Sequence, residues 1–254
     1  MLEMWICRLA LSLLIILNQS EALAETPPPP TECFGPADAK VSAIYLHGRD
    51  TRSATLASEN RRRIKALANK MGIRIAAPLA PNACPNRPDK LCWDTFSDAK
   101  TVAQNLNHAR KLSTNCIPLT SNPHLIGFSS GGWLANKILT HCLNTPFSSI
   151  TTIGASGSLG NNRELKDCPS IRMILGDQEE DRPKAERFLK AALAHNANIT
   201  LDLFNGVHEV PSQKLEEILT EQVLKSQLQE CQRAVREGTN PSRECRISRG
   251  TPSR

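Results

Sequence analysis

The chain has 254 residues, 40% hydrophobic and 22% charged, with a formal net charge of +6, 17 prolines, 13 glycines and 9 cysteines. That composition excludes a collagen-like, low-complexity or intrinsically disordered chain, and an aromatic share of 4% argues against a surface that stacks single-stranded nucleic acid. One α/β domain of about 200–250 residues fits the length as well as two smaller ones, so function has to be sought in local motifs.

Arg8 precedes an apolar run from Leu9 to Leu17, which is followed by Ala22-Leu23-Ala24. These are the charged, apolar and small-residue regions of a secretory signal, and residues 1–24 are expected to be cleaved. The rival reading is a membrane anchor, but about ten apolar residues fall short of the roughly 20 that cross a bilayer. No stable membrane insertion is expected, and the location follows as secreted or periplasmic. Cleavage leaves Cys33, Cys84, Cys92, Cys116, Cys142, Cys168, Cys231 and Cys245. An even count in an exported chain suggests up to four disulfides. Two short-range pairs, Cys84 with Cys92 and Cys231 with Cys245, would staple segments that lack hydrophobic periodicity of their own.

In chain order, residues 25–40, with Pro27 to Pro30 near their start, read as a stiff proline-rich spacer, and residues 41–230 as the folded domain. Strands are predicted over Val41–Leu46, Ile73–Ala77, His124–Phe128, Ile150–Gly154, Ile171–Leu175 and Ile199–Phe204, all short and apolar enough for buried parallel strands. Helices are predicted over Leu56–Lys70, Asp98–Leu112, Gly131–His141, Pro183–His195 and Ser212 to about Cys231. Their alternation reads as repeated βαβ units, hence a doubly wound α/β fold with a mostly parallel sheet and helices on both faces. In such a sheet, sites lie at the carboxyl ends of the strands. Residues 231–254 form a basic tail, with arginines at 233, 236, 243, 246, 249 and 254 against Glu237 and Glu244. It reads either as a solvated terminus or as a contact for anionic lipid, cell-wall polymer or nucleic acid.

The strongest motif follows the strand His124–Phe128: Gly127-Phe128-Ser129-Ser130-Gly131, a Gly-x-Ser-x-Gly pattern. A serine on a sharp strand-to-helix turn needs glycine two residues before and after it, because the tight backbone leaves no room there for side chains. The pattern recurs by chance in unrelated chains; the apolar strand before it and the amphipathic helix after it give it weight. The second motif is His47-Gly48-Arg49 at the end of the first strong strand. A loop in that place presents a backbone N–H towards the nucleophile and completes an oxyanion hole with the N–H after the serine. The expected donors are Arg49 and Ser130.

A serine nucleophile needs a base. Of the six histidines, His208 alone lies in a loop directly after the last strand, where the chain order Ser, acid, His places it. The acid should follow the penultimate strand, where Gly176-Asp177-Gln178-Glu179-Glu180-Asp181 offers several carboxylates. Glu179, three residues past Gly176, is the first choice, with Asp177 and Asp181 as alternatives. Acids that do not orient the histidine would flank the following helix, whose N-terminus favours negative charge.

On these residues the chain resembles the α/β-hydrolase superfamily, in particular small secreted esterases of the polyhydroxybutyrate-depolymerase-like, feruloyl-esterase-like and dienelactone-hydrolase-like kinds. The resemblance runs from about Val41 to Leu224. It implies Ser129 as nucleophile, His208 as base and Glu179 as acid, with Arg49 and Ser130 giving the oxyanion N–H groups. Those relatives usually carry aspartate where Glu179 stands, and the basic tail is not part of their pattern. The expected activity is cleavage of small-molecule or polymeric esters through an acyl-enzyme. A peptidase or thioesterase would use the same route, and a non-catalytic binding protein of this fold, held at an anionic surface by its tail, is the alternative of another class. Trp93 is placed in substrate binding, and no insertion long enough for a lid separates the elbow from the acid. The chain lacks a phosphate loop, a Cys-x-x-Cys and a His-Glu-x-x-His motif, so neither cofactor nor metal is implied, and no nucleic-acid partner is expected because most of the positive charge lies in the tail rather than on the folded domain.

Overall fold

Apolar strands that point alternate side chains to opposite faces bury both only if helices cover both. In the computed structural model, which describes residues 31–49, 55–93, 98–159 and 164–237, the six predicted strands become β2 (Ser42–Leu46), β3 (Arg74–Ala77), β6 (His124–Phe128), β7 (Ser149–Ile153), β8 (Ile171–Gly176) and β9 (Ile199–Phe204). Neighbours among them all pair in parallel. With β1 (Glu32–Phe34) antiparallel at one edge, they make a seven-stranded sheet in the order β1-β3-β2-β6-β7-β8-β9. The helices are α1 (Thr55–Met71), α2 (Ala99–Leu112), α3 (Ser130–His141), α4 (Arg182–Ala194) and α5 (Ser212–Arg236).

Alternation sorts the core into two layers. Ile44, Leu125, Ile150 and Met173 pack on one face with Leu106 of α2, Ile138 of α3 and Phe188 of α4. Their sequence neighbours Tyr45 and Ile126, together with Ile153 and Ile174, pack on the other with Ile64 of α1 and Leu215 and Ile218 of α5. The result is a doubly wound α/β/α sandwich without a large extra domain among the described residues. No described helix is long and apolar enough to cross a membrane.

Three features differ from the sequence reading. Within residues 25–40, read as spacer, Glu32–Phe34 form β1: three residues show no period, yet Phe34 enters the core and the strand pairs with β3. The polar segment after β3 folds as a hairpin of β4 (Asn82–Cys84) and β5 (Arg87–Cys92), with Asn86 in the left-handed region at φ 61°. Helix α5 passes the expected boundary at residue 230 and ends at Arg236, since no glycine or proline interrupts the chain before Gly238. The signal segment 1–24 and most of the basic tail lie outside the described residues.

Cys84 is bonded to Cys92, as the spacing predicts, across a separation of 8 residues. Cys33–Cys116 and Cys142–Cys168 span 83 and 26 residues; long-range pairs of this kind leave no local signature. Cys231 is also disulfide-bonded, and its expected partner Cys245 lies outside the described residues. Because closing a longer loop removes more entropy from the unfolded chain, the three bridges are worth about 4.5, 3.5 and 2.5 kcal/mol in order of decreasing span. Replacing both cysteines of the Cys33–Cys116 pair by serine is therefore expected to lower unfolding free energy more than the same change at Cys84–Cys92. Denaturant unfolding of the two variants, with the ranking reversed, would refute this.

Candidate active site

Because β2 and β6 to β9 are parallel, the segments that leave their carboxyl ends meet at one edge of the sheet. Arg49 follows β2, Ser129 follows β6, Glu179 follows β8 and His208 follows β9. Strand order therefore brings together residues that lie far apart in the chain.

Ser129 sits at the turn from β6 into α3 with φ 50° and ψ −115°, a conformation that costs a residue with a side chain on the order of 1–3 kcal/mol. Its surroundings leave no alternative. A Cβ on Gly127 would lie 2.5 Å from the carbonyl oxygen of Gly131, and one on Gly131 would lie 2.3 Å from that of Leu46. The Ser129 N–H donates to Ile153 O at 2.9 Å and the Gly131 N–H to His47 O at 3.1 Å, so the turn is tied to both neighbouring strands. This is the mechanical reason for glycines at those two places.

Glu179 is buried, its side chain 1% exposed, and its Oε2 stands 3.5 Å from His208 Nδ1. That is an ion-pair distance rather than a hydrogen bond, and Oε2 has no hydrogen-bond partner of ordinary geometry. Oε1 accepts from the Gly176 N–H at 3.4 Å. The His208 ring lies over Phe128, centroids 4.9 Å apart. The alternative acids point elsewhere: Asp177 Oδ1 accepts from the Gly206 N–H at 3.0 Å, fastening the β9 loop to the end of β8, and Asp181 Oδ1 pairs with Lys184 Nζ at 2.6 Å. Among the three carboxylates only Glu179 meets His208. The loop's far end is held by α1, where Arg63 pairs with Glu209 at 2.9 Å and Asn60 Oδ1 accepts from the Val210 N–H at 3.1 Å.

One residue of this arrangement escapes motif reading. Gly154, at the end of β7 with φ +58°, lies beneath the pair; a Cβ there would stand 2.8 Å from His208 Nδ1 and 3.2 Å from Glu179 Oε1. Its only signal in the sequence is a glycine closing a predicted strand.

Ser129 and His208 open onto a cleft of about 920 Å³ that Arg49, Ser130, Trp93 and the β4–β5 hairpin also line. Neither the Arg49 nor the Ser130 N–H meets an acceptor among the described residues, and the latter opens α3, where helix N–H groups lack intrahelical partners. Trp93 is only 1% exposed, a floor residue tilted against the His47 ring at 5.7 Å. No group of His, Cys, Asp or Glu among the described residues is arranged to hold a metal ion.

His47, a loop marker in the sequence, is structural. Its Nε2 accepts from the Ala80 N–H at 2.9 Å, which leaves the proton on Nδ1, donated to Gly48 O at 2.5 Å. Burial lowers its pKa from 6.5 to about 4, and burial lowers that of His124, between Ser149 and Thr151, to about 3. Both rings stay neutral in the fold but take a proton in the unfolded chain below about 6.5. The unfolded state then binds more protons, so stability falls as pH drops from about 6.5 towards 4, by up to about 1.4 kcal/mol per pH unit for each ring. Urea midpoints are expected to decline steadily between pH 7 and pH 5; a flat profile would contradict this assignment.

No protein-family model matches the chain, and no curated protein matches its sequence. Solved structures do. A carboxylesterase from Bacillus cereus superposes with a TM-score of 0.53 at 15% identity, over 83% of this chain and 98% of its own. The esterase PE8 superposes with a TM-score of 0.50 at 20% identity, over 76% and 98%. A protein of unknown function from Agrobacterium tumefaciens, described as an α/β hydrolase, superposes with a TM-score of 0.53 at 16% identity, over 77% and 91%. With its strand order, its two helical layers and these likenesses, the chain has the α/β-hydrolase fold.

Proposed function

We propose that this protein is a serine hydrolase that cleaves carboxylic esters through an acyl-enzyme. The observation that carries the reading is the meeting, at one sheet edge, of a serine on a strained elbow with a buried carboxylate held against a histidine. In this mechanism Ser129 Oγ attacks the ester carbonyl carbon while His208 takes its proton. The carbonyl oxygen becomes an oxyanion facing the N–H groups of Arg49 and Ser130. Collapse expels the alkoxide, which takes the proton from His208, and water then repeats the sequence on the acyl-enzyme to release the acid. Glu179 holds the imidazole in the tautomer that presents Nε2 to the serine and stabilises the imidazolium as it forms. Two of the solved likenesses are esterases by name, and this favours ester over amide or thioester substrates.

The disulfides support an oxidising compartment, and with the signal-like segment 1–24 the reading extends to a secreted or periplasmic enzyme of small-molecule or polymeric esters, with the basic tail beyond α5 as a separate surface element. A panel of chromogenic acyl esters of increasing chain length tests the function. Turnover by the purified protein, with covalent labelling of Ser129 by an organophosphonate, is the expected result. No turnover and no labelling would leave the non-catalytic binding reading in its place.

A further inference from the structure

We propose that the cleft selects esters whose acyl group ends in a carboxylate, with Lys90 as the cation that receives it and Trp93 Nε1 and Ser130 Oγ as uncharged donors. The proposal rests on the reading of Ser129 as nucleophile and names the substrate class of that site.

Strand order places the groups. His208 and Asp181 follow β9 and β8, on one side of Ser129; Arg49 follows β2 and the β4–β5 hairpin follows β3, on the other. The base that deprotonates the serine also protonates the departing alkoxide, so the alcohol part of an ester belongs on the β8–β9 side. The acyl part is left to the side of β2 and β3, where the hairpin forms the wall.

Among the described residues that wall carries positive charge. Side chains alternate along β5: Lys90 and Cys92 line the cleft, while Arg87 and Asp89 pair with each other at 3.3 Å and do not line it. Lys90 is half-buried and forms no ion pair with a described residue; exposed Arg49 adds a second cation. Asp181, the one carboxylate among the described lining residues, stands on the opposite side and is already matched by Lys184.

Two of the residues that line the cleft, Trp93 and Ser130, carry buried donors. Trp93 Nε1 and Ser130 Oγ have no hydrogen-bond partner among the described residues, although the residues are only 1% and 7% exposed. A hydrocarbon acyl chain would displace water from the Lys90 ammonium without replacing its hydrogen bonds, which is costly. A carboxylate brings about four acceptor sites and forms charge-assisted hydrogen bonds, roughly twice as strong as neutral ones.

The test compares 4-nitrophenyl hydrogen adipate with 4-nitrophenyl hexanoate, equal in acyl length and different in one terminal charge, each corrected for spontaneous hydrolysis. Wild type is expected to favour the half ester in kcat/KM by about tenfold, as a hydrogen bond to a charged group implies. The ratio should fall towards one in Lys90→Met, survive largely in Lys90→Arg, and drop in Trp93→Phe. The acetyl ester of 3-hydroxybenzoate, with its carboxylate on the alcohol side, should gain nothing over phenyl acetate. A ratio near one in wild type, a ratio that Lys90→Met leaves intact, or a gain for the benzoate ester overturns the proposal.

Binding without turnover is read on Ser129→Ala, from tryptophan fluorescence on titration with methyl hydrogen adipate and dimethyl adipate. Tighter binding of the half ester, lost in the double variant with Lys90→Met, upholds the charge-selective wall even if wild type hydrolyses no ester, in which case the function proposed above falls alone. Ester hydrolysis with equal binding of the two adipates leaves that function standing and sinks this inference.

Discussion

Ser129→Ala is expected to reduce ester turnover by about 10⁴-fold or more without loss of fold, because the acyl-enzyme cannot form without that hydroxyl. The replacement keeps a Cβ at φ 50°, so the elbow's strain persists and the unfolding midpoint should stay close to that of wild type. Ser129→Gly separates strain from chemistry. It should be equally inactive, yet the turn itself should be relieved of roughly 1 kcal/mol or more, partly offset by the greater freedom of glycine in the unfolded chain. Initial-rate kinetics and denaturant unfolding on both variants check the pair of effects. Near-wild-type activity in either one would end the acyl-enzyme mechanism.

Glu179→Gln is expected to cost about 10⁴-fold in turnover, whereas Asp177→Asn and Asp181→Asn should cost little. The reason is geometric. An amide in place of the carboxylate 3.5 Å from His208 Nδ1 presents an N–H there, which favours the tautomer with its proton on the wrong nitrogen and leaves an imidazolium without its counter-charge. In Asp177→Asn the side-chain amide oxygen would still accept from the Gly206 N–H, and loss of the exposed Asp181–Lys184 pair removes an interaction worth about 0–1 kcal/mol. If Glu179→Gln keeps most of its activity while Asp177→Asn does not, a rearrangement of the β9 loop rather than the observed contact governs catalysis.

Those two effects also mark how far the chain is legible from its sequence. The central strands and the five α-helices among the described residues are legible because burial on both faces writes long apolar runs between turn residues, as in His124–Phe128 and Ile171–Gly176. The Ser129 turn and the loop after β9 are legible because steric necessity demands glycine at 127 and 131 and chain order points to His208. What stays hidden depends on partners distant in sequence. Strand β1 exists through its pairing with β3 and the bond from Cys33 to Cys116, neither of which a three-residue segment announces. The hairpin is polar, contains Pro88 and carries no apolar period. Gly154 owes its place to the His208–Glu179 pair packed above it, and a glycine at a strand end says nothing of what it makes room for.

The β4–β5 hairpin has a consequence for how such a protein can change. Among the described residues its two strands pair only with each other, and the Cys84–Cys92 bond ties the turn end of β4 to the far end of β5. It stands at the cleft as a self-contained cassette, while Ser129, Glu179 and His208 hang from the central sheet. Residues between the two cysteines can therefore be exchanged, lengthened or recharged without disturbing a strand that carries the proposed reacting groups. In the proposed enzyme, selectivity and chemistry fall on separable pieces of chain, so a new substrate preference could arise within Asn82–Cys92 while the residues proposed to break the bond are inherited unchanged.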